Sequence, residues 1–349
     1  MSLEKTLLQN IRVSYPSRLD QYANRVVETG LLTAVLEMNN SVRSIVSPDL
    51  RSKAETSLSQ SRTIEIPVLK KGNVTIKNTR SCDVQCGENE SDMVTLVWKT
   101  VVADVCMVPA QYGNNEISKQ ADFARKIEDT VEAFRLEVEA DLETAIDTNK
   151  SQIYSSSIVG DKYALTGDAI QVQQAQQQFF FGDLQAINFA DNYTGGIKVV
   201  ANHSLMPIVD QYVNQGGSND TNTAYQFPGK DFRFTNGINN GATANTTGYF
   251  MPDGVIGLLT RTDRDAQMKH SSTKGTKWFE DRLPGLPFAV GIKYDSECSD
   301  KSALVNNNLT HLTATLIEHW QISFDYAIVV PYNSDLATEA SPIRKFEFV

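Results

Sequence analysis

Histidine and cysteine are scarce in this 349-residue chain, and no long apolar run occurs in it. Only four cysteines are present, Cys82, Cys86, Cys106 and Cys298, which excludes a disulfide-built scaffold. No stretch approaches the roughly 18 apolar residues that a membrane helix needs. The opening Met-Ser-Leu-Glu-Lys lacks a basic stretch followed by an apolar one, so no secretory signal is expected. The expectation is a soluble chain folded in a reducing cytoplasm. Triplets such as Asn73-Val74-Thr75 then carry no glycosylation meaning. A formal net charge of -10 argues against tight sequence-independent DNA binding, which needs clustered Lys and Arg against phosphate. With 41% hydrophobic and 21% charged residues, the chain has enough apolar material to bury a core and is not disordered overall.

Signatures of chemistry are also missing. There is no Gly-x-x-x-x-Gly-Lys-Ser/Thr phosphate cradle, no Gly-x-Gly-x-x-Gly after a strand and no Gly-x-Ser-x-Gly elbow. Cys82 and Cys86 form the one close cysteine pair, and no second Cys or His pair follows at zinc spacing, so two free thiols on a strand are expected. His203, His270, His311 and His319 are scattered and read as ordinary hydrogen-bonded side chains, the last two on one face of a strand. Glu128, Asp129, Glu132, Glu139 and Glu143 could form an acid/base pair. Arg125, Lys126 and Arg135 are interleaved with them at helical neighbour spacing, which favours a solvated face. Between Arg261 and Arg282 a mild basic excess (Arg261, Arg264, Lys269, Lys274, Lys277, Arg282 against Asp263, Asp265, Glu280, Asp281) lies beside Trp278 and Phe279. It reads as a mixed-charge surface loop, with contact to nucleic acid or to an acidic neighbour as the other reading. No residue is assigned a catalytic, cofactor-binding or metal-binding role, and no enzymatic activity is expected.

What is present is a sequence of architectural parts. Tyr22 to Met38 has apolar residues near helical spacing, and Ser47 to Arg62 is a polar leader expected to pack as an arm. Thr63 to Leu69 reads as a strand with an edge-type Pro67. Lys71-Gly72-Asn73 reads as a turn, Val74-Thr75-Ile76 resumes the strand, and Met93 to Val108 returns as a second extended run. A lone two-stranded hairpin is marginal in water, so this one needs a partner surface. Ile117 to Lys150 predicts one long amphipathic helix, apolar at Ile117, Phe123, Ile127, Val131, Phe134, Val138, Leu142 and Ile146. Its length would be on the order of 50 Å.

Beyond it, Ala169 to Phe180 reads as a short Gln-rich helix ending in Phe179-Phe180-Phe181. Gly196 to Asn202 reads as a strand and Ser204 to Tyr212 as the helix after it. Asn214 to Gly248 predicts surface loops and short strands, and Tyr249 to Leu259 an extended run around a Pro252-Asp253-Gly254 turn. Phe288 to Tyr294 predicts a strand. His311 to Val330 predicts a long one, with Leu312, Ala314, Leu316, Trp320, Ile322, Phe324, Tyr326, Ile328 and Val330 on its even positions. The chain ends in the apolar-aromatic run Ile343 to Val349.

This order of parts resembles the major capsid proteins of tailed bacteriophages, the Hong-Kong-97-type fold. Ser61 to Pro67 looks like the strand that opens that family's extension loop, and Val94 to Pro109 like its return. Ile117 to Lys150 looks like the spine helix, while Gly195 to Tyr212 and Gly248 to Gly254 look like axial-domain segments. The resemblance implies an α+β fold with an N-terminal arm at 1–60 and an extension-loop hairpin at 61–110. It implies a peripheral domain with the spine helix at 111–165, and at 166–349 an axial domain whose C-terminal strands return to the peripheral domain. It also implies a non-enzymatic shell subunit that self-assembles, as hexamers and pentamers, into an icosahedral shell around a double-stranded DNA genome.

Implied partners are further copies of the chain, separate scaffolding, portal and decoration proteins, and packaged DNA touched non-specifically. No membrane partner is implied. The location would be the virion, after assembly in the host cytoplasm. Alternatives kept open are an encapsulin-like compartment, another virion structural protein and a carboxylate-based hydrolase. One expectation is sharp: deleting Ile66 to Met107 should leave a folded subunit that no longer assembles.

Overall fold

The structure, a computed structural model, describes residues 29–56, 61–69, 91–114, 119–154, 158–216, 229–238, 246–262, 277–299, 315–333, 336 and 338–349. The longest element is helix α3, Lys119–Thr148, preceded by α1, Gly30–Asn39, and α2, Pro48–Thr56. The apolar stripe on α3 runs Phe123, Ile127, Val131, Phe134, Val138, Leu142 and Ile146, all buried. At 1.5 Å per residue its 30 residues span about 45 Å. Each fully buried side chain of this size contributes on the order of 1.5–3 kcal/mol, so the stripe anchors the fold. Residues 115–118, where this helix was expected to begin, lie outside the described residues.

Helix α3 lies across an antiparallel sheet built from β3, Lys99–Met107, β9, Gly257–Arg261, β10, Lys277–Asp281, β11, Val290–Ser299, and β12, Thr315–Val329. The order is β10-β11-β12-β3, with β9 paired to the far end of β12. From Trp320 to Tyr326 the even-numbered residues of β12 face the helix. Phe134 meets Phe324 edge-on at 5.2 Å between ring centroids, and Phe123 meets Trp320 at 4.8 Å. The predicted period of two holds from Trp320 to Tyr326, but Leu316 is exposed where Ile317 is buried, and Leu312 and Ala314 lie outside the described residues. From Ser323 to Ala327, however, both faces are buried, because β12 lies between two cores.

A second, six-stranded sheet has the order β4-β5-β13-β8-β6-β7. Its strands are Ala164–Thr166, Ala169–Val172, Arg344–Phe348, Thr246–Pro252, Ile197–Asn202 and Lys230–Thr235, in that order. The β13–β5 and β6–β7 pairs are parallel and the others antiparallel. Helix α4, Gln177–Ala190, and helix α5, Met206–Gly216, follow β5 and β6 in the chain. Phe180 lies at the centre of an aromatic cluster with Tyr163, Phe250, Phe346 and Phe348. Gly248 is required here, since a Cβ would lie 2.5 Å from the Phe346 ring and 2.8 Å from Ala201. In the expected Pro252-Asp253-Gly254 turn, Gly254 has φ +84° against the Arg43 carbonyl.

Several expectations are corrected. The leader is not simply an arm in its described part. Helix α1 buries Leu31, Leu32, Ala34, Val35 and Met38 in the same core as α3. Within Ser47 to Arg62, Pro48 opens helix α2, and Ser47 Oγ accepts the Leu50 N–H at 3.2 Å. The stretch up to residue 28, the expected turn and strand at 71–76, Cys82, Cys86, His270 and His311 lie outside the described residues.

The Gln-rich run does not form one helix. Ala169–Val172 is a buried strand beside β13, and Phe179-Phe180-Phe181 opens helix α4 instead of closing it. Tyr249 to Leu259 is extended, but its two halves, β8 and β9, belong to different sheets.

The largest correction concerns Met93 to Val108, read as one return strand. It is two, β2 at Ser91–Val97 and β3, broken at Trp98. Strand β2 pairs with β1, Thr63–Leu69, as the expected hairpin. Strand β3 pairs with β12. The pleat runs through the break, but the covered face changes. Val94, Leu96 and Trp98 pack on one core, whereas Val101, Ala103, Val105 and Met107 pack under α3. The apolar residues shift from even to odd numbers at Trp98, and that shift marks the passage from hairpin to body.

Candidate assembly surface

The hairpin has one covered and one open face. Ile64, Ile66, Val94, Leu96 and Trp98 pack on Val46, Leu50 and Ala54 from the α2 region, on Leu259 of β9 and on Ala327 and Val329 of β12. The partner surface for its root is therefore its own subunit. On the opposite face stand Thr63, Glu65, Pro67, Met93, Thr95 and Val97, all exposed. Val97 is 67% and Met93 58% exposed, so the outer face of β2 presents two large apolar side chains to whatever approaches.

The root converges on one buried carboxylate. Asp325, in the middle of the sheet on β12, accepts Arg261 Nε at 3.0 Å, Thr100 Oγ1 at 2.5 Å and Arg62 Nη1 at 3.5 Å. The Arg261 guanidinium lies over the Trp98 ring at 4.4 Å and donates through Nη2 to the Ser61 carbonyl at 3.0 Å. Arg62 Nη2 donates to the Trp98 carbonyl at 3.0 Å, and Trp98 N–H donates to the Arg62 carbonyl at 2.9 Å. Arg261 was read as part of a mixed-charge surface loop. It is instead buried and ion-paired, because the β9–β12 register places Arg261 opposite Asp325. Residues 263–276 of that basic stretch, with Asp263, Arg264, Asp265, Lys269 and Lys274, lie outside the described residues. Lys277, Trp278, Phe279, Glu280 and Asp281 form β10, and Arg282 lines a groove of about 470 Å³ together with Arg51 and Glu280.

The helix carboxylates do not converge on a cavity as an acid/base pair would. Asp129 is exposed and Glu128, Glu132 and Glu143 are partly buried along the helix. Glu139 is the exception to the solvated-face reading. It is buried and accepts the Leu31 and Leu32 N–H groups at 3.0 and 2.6 Å and the Thr235 hydroxyl at 2.6 Å. Those amides belong to the otherwise uncapped N-terminus of α1, so Glu139 supplies the missing cap from a different helix. Burial pushes its carboxyl above the usual value, against the pull of these donors.

Three further acids on α3 hold phenols. Asp122 takes Tyr112, Asp141 takes Tyr326 and Asp147 takes Tyr249, at 2.5, 2.5 and 2.7 Å. Burial pushes the Asp147 carboxyl up, but Tyr249 and Lys150 outweigh it and hold it below the ordinary range. Lys99 reaches Glu137 at 2.7 Å and Asp141 at 2.8 Å. The acidic side of α3 is thus a row of anchors for neighbouring elements. Tyr326 and Tyr249 come from distant segments, so periodicity along the helix does not reveal these anchors.

His203 is exposed. His319 lies beside the exposed Cys106, with Nδ1 3.3 Å from the thiol sulfur. Among the described residues no group of three His, Cys, Asp or Glu side chains is arranged for a metal ion, and no helix is long and apolar enough to cross a membrane.

No protein-family model and no curated protein matches the chain. Solved structures do. A chain from Microbacterium phage Oxtober96 superposes with a TM-score of 0.50 at 10% identity, covering 98% of both chains. One from Mycobacterium phage Bobi gives 0.47 at 11% identity over 98% of both. The capsid of Myoviridae Phage XM1 gives 0.44 at 10% identity over 97% of this chain and 98% of that one. At a TM-score of 0.50 over nearly the whole of both chains, this chain has the fold of phage major capsid proteins.

Proposed function

We propose that the chain is a non-enzymatic shell subunit of a virion. Copies of it assemble as hexamers and pentamers into a closed icosahedral container around double-stranded DNA, touched non-specifically. The observation that carries this reading is the hairpin. Its root is locked to the body, while its outer face leaves Met93 and Val97 uncovered within the subunit. A fixed arm that presents two large apolar side chains on its outer face fits a heterologous contact, in which one patch on each copy meets a different patch on the next. Repetition of that contact closes rings and shells. The net charge of -10 suits a container that encloses DNA without gripping it.

In this reading the functional parts are bounded differently from the sequence expectation. The extension arm is the hairpin that ends at Trp98. Strand β3 joins α3, β9–β12 and α1 in a peripheral body. The six-stranded sheet with α4 and α5 forms the axial body. Separate scaffolding, portal and decoration proteins, and assembly in the host cytoplasm, are part of the same proposal.

The test is expression of the full chain, alone and together with a scaffolding protein encoded in the same genome if one is found, followed by negative-stain electron microscopy. Closed particles of uniform diameter are expected. A strictly monomeric chain under both conditions would overturn the reading. Nuclease-protected DNA in particles from infected cells separates a genome container from an encapsulin-like compartment.

A further inference from the structure

We infer that Asp325, with Arg261 and Arg62, is a positioning device that fixes the direction of the hairpin in the free subunit before any neighbour arrives. Its consequence for assembly rests on the shell-subunit reading above; the clamp itself does not.

Both chain segments that enter and leave the hairpin are tied at the same point. Ser61 is held through its carbonyl by Arg261, Trp98 is covered by the Arg261 guanidinium, and Arg62 and Trp98 bond each other in both directions. Asp325 joins the two guanidiniums to β12, the strand that carries both β3 and β9. Three segments far apart in sequence therefore meet at one carboxylate, with the Arg261 and Asp325 side chains only 1% and 2% exposed.

Such a buried pair is a poor way to gain stability. Desolvating two charges costs several kcal/mol per ion, and replacing both partners by apolar residues of similar size is often neutral or stabilising. The Trp98 indole N–H is also buried without a hydrogen-bond partner, so the joint is not optimised for polar satisfaction. What the pair adds over an apolar contact is direction. A guanidinium has fixed donor vectors, and here they point at Asp325, at Ser61 and, through its face, at Trp98. Apolar packing of Ile64, Ile66, Val94 and Leu96 holds the hairpin down, yet it tolerates sliding and rotation that a three-way hydrogen-bonded joint does not. An arm whose angle is set in advance loses less freedom on docking and sets the angle between neighbouring subunits.

The experiment compares the wild-type full chain with Asp325→Asn and with the double variant Arg261→Met/Asp325→Leu. The single variant leaves two guanidiniums facing a neutral amide and can fail to fold. The double variant removes both buried charges and should keep a wild-type unfolding midpoint. Hydrogen exchange is read at the Trp98 amide and along the β1–β2 ladder, and particles are imaged by electron microscopy. Expected for the double variant are at least tenfold faster exchange at Trp98 and Ile64, unchanged protection in α3 and β12, and particles of mixed curvature.

Unchanged exchange at the root would overturn the clamp. Faster exchange with particles of uniform wild-type size would overturn the positioning role. If the wild-type chain forms no particles, the shell-subunit reading fails, while the exchange result still decides the clamp.

Discussion

At the scale of single residues, this fold places charge where the bulk composition gives no hint of it. Glu139 is the clearest case, a carboxylate inside the core whose partners are two backbone amides and a hydroxyl. Glu139→Ala would leave those donors unmet, and a loss of about 1–3 kcal/mol is expected in urea unfolding at neutral pH. The pH dependence has a definite sign. Burial raises the folded carboxyl above its ordinary value, so the folded state binds the proton more tightly than the unfolded chain. Stability from that difference is present below the ordinary carboxylate value and is lost as pH rises through the raised one. The gap between wild type and Glu139→Ala should therefore be wider at about pH 4 than at pH 7. A gap that widens toward neutral pH would contradict this account.

Arg344 is a second example. It is fully buried on β13, paired with Asp191 and Asn188 at the end of α4 and stacked near Tyr193. Arg344→Ala removes the buried guanidinium that pairs with Asp191 and Asn188, with an expected loss of about 3–5 kcal/mol by chemical denaturation.

At the scale of elements, the long helix and the hairpin behave differently. Helix α3 was legible because its seven apolar residues recur at spacings of three and four and little else competes with that pattern. It packs as the pattern requires. Phe134→Ala, which opens a cavity under α3 beside Phe324, should cost about 3–5 kcal/mol and lower the melting temperature accordingly.

The hairpin was legible only in part, because Met93 to Val108 is extended throughout and the eye joins it into one strand. The deletion of Ile66 to Met107 proposed from the sequence would remove β3, with the buried Trp98, Val105 and Met107, and is now expected to unfold the subunit. The deletion that isolates the arm replaces residues 67–93 by Asn-Gly, a two-residue turn that keeps the Ile66–Val94 pair. Circular dichroism should show a folded chain for the second deletion and not for the first. Electron microscopy should show no shells from either.

At the scale of the whole molecule, the exposed outer face of the hairpin is the part that a monomer does not explain. Met93→Glu together with Val97→Glu changes two side chains that touch solvent, so the unfolding free energy should stay within about 0.5 kcal/mol of wild type. Sedimentation and electron microscopy should nonetheless show assembly reduced to small oligomers, because two carboxylates would be buried at each contact. Normal shells from this variant would place the contact elsewhere on the surface.

Sequence was enough for the elements whose signal is local: the long helix α3 from its period, the long β12 strand from its alternation, the Gly254 turn from its glycine. It also determined the order of parts, and that order carried the likeness to phage capsid proteins. Which strands share a sheet is visible only in the folded chain, since β8 and β9, or β2 and β3, are neighbours in the chain yet belong to different sheets. Pairing sets Arg261 opposite Asp325, Phe250 opposite Arg344 and Lys99 opposite Tyr326, and nothing local encodes such partners. The same holds for Asp325 and Glu139. A charged residue reads as solvated until the fold brings buried donors around it, and here those donors come from segments far off in the chain.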